Sequence, residues 1–241
     1  MTAILCLGYL AGVSIVIAAL TALYLRERLR ALLIGLPLWL LYVGLLSYSG
    51  VVSNTALRPP GIVYVAFPAV LFVVLVFALS GAGARIASAF PFWVIIGMQT
   101  FRIGVELLLH RLWVDGLAPR MVTYRGGNID IFIGLSAPLI AGISTRGRWG
   151  EWLALGWNVV GLLTLTNAIT LSALTAPGLT LIHSEVPNMA IGVFPFTYIA
   201  GFFAPLAMAL HALSIRGLRA GLREVSLDNR VRCANQETIH L

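Results

Sequence analysis

The chain has 241 residues, of which 59% are hydrophobic and 10% charged, and its mean hydropathy is +0.94. A soluble domain usually carries about 25% charged residues, so there is too little charge here to coat a water-soluble surface. The formal charge is +7, but the basic residues stand singly or in short groups between apolar runs. All of them are Arg, which excludes a Lys Schiff base to retinal or pyridoxal phosphate.

A spanning helix needs ~20 mostly apolar residues, and seven candidates follow one another along the chain. They cover about 3 to 25, 31 to 53, 62 to 83, 88 to 112, 129 to 145, 152 to 175 and 190 to 213. The expected architecture is therefore an all-α, polytopic membrane helix bundle of about seven transmembrane helices, a single domain over 1–213 with a basic tail over 214–241. The first run has no basic residue ahead of it and exceeds the ~7 to 15 residues of a signal-peptide core, so it is expected to remain as a span. The fifth is only 17 residues long and contains Pro138, which suits either a short span or a re-entrant segment.

Orientation follows from arginine, because short cytoplasmic loops are enriched in basic residues. With the amino terminus outside, Arg26, Arg28, Arg30, Arg85, Arg146, Arg148 and five more from Arg216 to Arg232 fall inside. Arg58, Arg111, Arg120 and Arg125 fall outside. That asymmetry explains the basic charge through contact with the lipid bilayer and removes the need for a nucleic-acid partner. Cys6 and Cys233 then lie on opposite faces, so no disulfide is expected between them.

The fourth run is the most polar. In "MQTFRIGVELLLHRLW", residues 98–113, the side chains of Gln99, Arg102, Glu106 and His110 share an arc of roughly 80° on one helix face. Arg102 falls near the middle of the run, where a charge costs about 2.5–3.5 kcal/mol even on the lenient insertion scale. Glu106, one turn on, is its expected partner. The following segment, "DGLAPRMVTYRGGNIDIFIG", supplies Arg125, Asn128 and Asp130, with Asn128 suited to cap the next helix.

The sixth run places Asn158 and Asn167 on opposite faces, so only one can meet the same cavity, and the outer Asn167 is the candidate. His183 and Glu185 lie in the loop beyond. Their spacing of two, with no His or Cys following at ligand distance, does not make a metal site. His211 reads as an interfacial residue at the inner end of the last run, too far from the other histidines for a bis-His haem. No cofactor is expected, and HExxH, GxSxG, Walker and CxxC patterns are absent.

The stretches "FRIGVELLLH", "NIDIFIGLSAP" and "FPFTYIAGFFAPLAMALHALSI" resemble a family of small bacterial multi-pass membrane proteins of uncharacterised activity, over about 88 to 216. The resemblance implies a bacterial inner-membrane protein and carries no catalytic residues. The expected site is an outward-facing polar cavity for a small polar or amphiphilic molecule. Its candidates are Gln99, Arg102, Glu106, His110, Arg125, Asn128, Asp130, Asn167, His183 and Glu185. An intramembrane enzyme using Glu and His, or an assembly subunit, are the alternatives.

Overall fold

A computed structural model describes residues 1–177 and 181–220, and among these there is no β-strand. Cys233, the tail beyond 220 and its arginines lie outside the described residues. Among the described residues, five helices are long and apolar enough to cross a membrane, or six if one bent pair counts as a single span.

In chain order α1 is Thr2–Tyr24 and, after a 3-10 turn at Arg26–Arg28, α2 is Leu29–Tyr48. Both expose most of their apolar surface; α1 buries a sparse stripe that includes Cys6, Leu10 and Val13, and α2 buries Val43, Gly44 and Ser47. The next run begins as α3, Val63–Phe72, and widens into a π-helical stretch over Val73–Leu79. It then turns by 72° into α4, Gly81–Ala89. The turn has a local cause: Ser80 caps α4 through its hydroxyl, which accepts from Ala82 N and Gly83 N at 3.1 and 3.3 Å. The carbonyls of Phe77 and Ala78 that the break frees accept from the Arg216 guanidinium at 3.2 and 2.7 Å.

The polar fourth run is one span, Phe92–Val114, with a seam: α5, Phe92–Met98, passes through a 3-10 turn at Gln99–Phe101 into α6, Arg102–Val114. The fifth run is the short α7, Ile131–Ser144. Fourteen residues rise ~21 Å, about two thirds of a hydrocarbon core. A tight connection, in which Gly147 takes φ +78°, leads into α8, Arg148–Leu174. The last helix, α9, spans Ile199–Ala220 and opens with a π-helical turn at Ile199–Phe203.

The largest apolar core joins α1, α2, α3, α8 and α9 around Val43, Val65, Phe202 and Phe203. A second core, built on Cys6, Leu109, Leu112, Val122 and Phe196, packs the segment after α6 into the bundle.

Candidate functional site

Arg102 begins α6 and lies halfway along the Phe92–Val114 span. It is 2% exposed, so its guanidinium must find its partners inside the protein. The partner is Asp130 and not Glu106, which corrects the pairing expected from the one-turn spacing. Arg102 Nε donates to Asp130 Oδ2 at 2.7 Å and Nη2 donates to Asp130 Oδ1, a two-pronged match of planar groups. Thr164 Oγ1 also donates to Asp130 Oδ1, at 2.8 Å. Asp130 wins because it sits at the start of α7, where its carboxylate meets the guanidinium from across a helix interface and the positive end of the α7 dipole adds to the attraction.

The third arm of Arg102 reaches α9. Nη1 lies 2.9 Å from His211 Nε2, and His211 Nδ1 lies 2.9 Å from Asn158 Oδ1. Asn158 Nδ2 donates to Ala154 O at 2.7 Å and to Ser214 Oγ at 3.0 Å. A guanidinium only donates and the Asn158 oxygen only accepts, so His211 takes the tautomer with the proton on Nδ1. His211 and Asn158 are fully buried. Room for the imidazole comes from Gly161 of α8, where a Cβ would stand 2.6 Å from Nε2.

On the other side of Asp130, Asn128 links the network to Glu106. Its Nδ2 donates to Glu106 Oε1 at 2.6 Å and to Val122 O at 3.1 Å, and its Oδ1 accepts from Asp130 N at 3.1 Å. Contrary to expectation Asn128 does not cap α7, whose N-cap is Asp130; it forms an Asx turn over 128–130 just ahead of the helix. Gln99 Nε2 donates to Ala207 O of α9 at 3.1 Å.

The order of the helices gives this network its place. Arg102 and His211 are each midway along a long span, and Asn158 and Thr164 flank the middle of α8. Asp130 is at the same level, yet the chain left α6 at Val114, twelve residues or ~18 Å above Arg102. The 115–130 segment therefore turns back into the bundle, and α7 starts at mid-height. Its backbone groups are met locally: Gly127 N donates to Met121 O at 3.0 Å and Gly126 N to Thr123 O at 2.9 Å. A Cβ on Gly126 would collide with the Arg120 and Met121 backbone.

The remaining candidates are scattered around this centre. His110 stands at the outer end of the stripe, its ring 5.2 Å from that of Trp113 and 5.0 Å from that of Tyr124. Asn167 fastens the loop, donating to Gly127 O at 2.8 Å. Arg125, His183 and Glu185 are exposed, and Glu185 accepts from Arg120 N at 3.2 Å. His183 and Glu185 line a shallow surface depression with Met121 and Ser184, apart from the buried network. Among the described residues no three His, Cys, Asp or Glu side chains converge as a metal ion would need.

Asn158, Thr164, His211 and Ser214 belong to the centre although none was a sequence candidate. One signal does point to His211. Gly201, Ala204, Ala207, His211 and Ser214 recur at three- and four-residue steps, the small-residue stripe of a helix packing face.

Fold and site together define an all-helical protein of membrane-length apolar helices with a charged hydrogen-bond network closed inside it. Residues 59–219, more than half of the chain, match the family described as "Domain of unknown function (DUF8737)". The chain belongs to that family. Neither the curated proteins nor the solved structures contain a match to it.

Proposed function

We propose that this is a multi-pass protein of the bacterial cytoplasmic membrane that binds and moves a small polar or amphiphilic solute, with Arg102, Asp130 and His211 at its working centre. The carrying observation is that the start of the short helix α7 meets a guanidinium, itself joined to an imidazole, midway along three long helices. Carriers commonly build their sites at such points, where interrupted helices end near the bilayer midplane. An ionisable group held there is costly unless it serves the protein.

In this reading the chain crosses seven times with the amino terminus outside. The bent pair α3 and α4 forms the third crossing. The fifth is half loop and half helix: 115–130 fills the outer half and α7 the inner half. Arg26, Arg28, Arg30, Arg85, Arg146 and Arg148 then face the cytoplasm, in keeping with the inner bias of basic residues. The conformation described is the closed one, with Asp130 filling the guanidinium that an acidic group of a solute, or Glu106, could otherwise take.

Native mass spectrometry of gently extracted protein tests this. A small molecule bound in the wild type and lost in Arg102→Lys, where a point charge replaces the planar fork, is the expected result. A wild type carrying only lipid, together with an Arg102→Leu, Asp130→Leu double variant that complements a gene deletion, would reduce the network to a structural strut.

A further inference from the structure

One carboxyl group in the network has no cation. The two-pronged donor face of Arg102 is given to Asp130 and its remaining arm to His211. Glu106 is 2% exposed, accepts one hydrogen bond from the neutral Asn128 amide, and among the described residues its Oε2 has no partner. A buried carboxylate with one neutral hydrogen bond is poorly compensated, whereas a carboxylic acid in the same place is tolerated. One turn further out, His110 Nδ1 is likewise buried without a partner among the described residues, while the ring as a whole is half-buried between Trp113 and Tyr124 near the outer end of α6. Positions 106 and 110 are neighbours on the helix surface.

We infer that Glu106 is a proton-binding site served from the outer side through His110, and that its ionisation transfers Arg102 from Asp130 to Glu106. The inference rests on reading the network as the working centre and adds the proton as its second ligand. The step balances simply. His110 takes a proton from the outer water, gives one proton to the Glu106 carboxylate and returns to the neutral imidazole; release runs the same path backwards.

The surroundings limit what else could respond. From its own helix Glu106 meets Arg102 and His110, and from α7 Asp130, through Asn128. From α1 come Tyr9 and Cys6, whose hydroxyl and thiol donate to the carbonyls of Phe101 and Pro195. The 3-10 turn Arg120–Val122 adds Arg120, which is exposed and donates to Arg125 O; the Ile199–Phe203 turn adds no titratable group. Neutral Glu106 leaves the guanidinium to Asp130, which is the arrangement seen. Ionised Glu106 is a second carboxylate one turn from Arg102 in pairing geometry. When the guanidinium swings to it, Asp130 and the first turn of α7 lose their tie to α6.

Infrared spectroscopy of the full-length protein in lipid nanodiscs reads this directly through the carbonyl stretch of a protonated carboxylic acid near neutral pH. The expected band is present in the wild type, moves on labelling with 13C-glutamate but not 13C-aspartate, and is absent in Glu106→Gln. It is also absent in Asp130→Asn, where Arg102 is released to ionise Glu106. In His110→Phe it is retained, but its response to a pH jump slows at least tenfold. A wild type without the band, or with a band that ignores glutamate labelling, overturns the proton site; because labelling needs no variant, a misfolded mutant cannot obscure that result. A band that survives in Asp130→Asn overturns the exchange of partners. No solute enters any of these measurements, so their failure leaves the solute-binding reading standing, and the converse holds for the mass spectra.

Discussion

Replacing Asp130 by Ala isolates the bond that organises the centre. The variant removes both prongs from Arg102 and the acceptor of Thr164 Oγ1, leaving a guanidinium at 2% exposure with His211 as its remaining side-chain partner. Stranding one member of a buried pair costs about 3–5 kcal/mol, while exchanging both members for apolar residues is close to neutral. In a Glu106→Gln background, where no second carboxylate can take up the guanidinium, Asp130→Ala and Arg102→Ala should therefore each destabilise by about 3–5 kcal/mol, and Arg102→Leu with Asp130→Leu should recover most of that loss. Glu106→Gln keeps the carbonyl that Asn128 bonds, so its cost should stay at about 1 kcal/mol or less. Steric-trap unfolding in bilayers gives these energies, and the double-mutant cycle should return a coupling of about 3 kcal/mol or more between 102 and 130. If Asp130→Ala costs no more in that background than Glu106→Gln costs alone, the Arg102–Asp130 pairing is wrong.

Three further outcomes follow from the same contacts. Gly161→Ala places a Cβ against His211 Nε2 and should cost about 1–3 kcal/mol by overpacking, measured as a lower melting temperature in detergent. Gly104→Ala drives a Cβ to 2.5 Å from the Tyr9 hydroxyl; its loss of stability should shrink sharply in a Tyr9→Ala background, and equal loss in both would show that α1 does not pack there. Elemental analysis of gently purified protein should find less than one equivalent of zinc, iron or copper, since His183 and Glu185 stand exposed without companions at ligand spacing; a full equivalent lost in His183→Ala would contradict this.

Hydropathy made the apolar elements legible because membrane-length runs need no tertiary information, and the helical period put Gln99, Arg102 and Glu106 on one inward face. Partner choice was harder to read. Glu106 is near Arg102 in sequence, but Asp130 arrives from a polar segment that composition places outside, and nothing in its residues reveals that it turns back to mid-height. His211 was misplaced for a different reason. The apolar stretch from 190 suggests a span over 190–213, whereas residues 190–198 form a 3-10 turn and a loop and the helix runs over Ile199–Ala220. That shift moves His211 from the inner end to the middle. Arg216, counted among the inner arginines, donates to the Phe77 and Ala78 carbonyls within the bundle.

In the proposed topology 115–144 makes one crossing, an inward-turning loop followed by the short helix α7, which begins at the level of Arg102. Single cysteines at Gly116, Ile133 and Thr145, placed in a Cys6→Ala, Cys233→Ala background, test it with membrane-impermeant thiol reagents on intact and inverted vesicles. Labelling of position 116 from the outside, position 145 from the inside and position 133 from neither is expected. Labelling of 116 and 145 from the same side would contradict it, because both ends of the segment would then lie on one face and Asp130 could not meet Arg102 at the middle of the bundle.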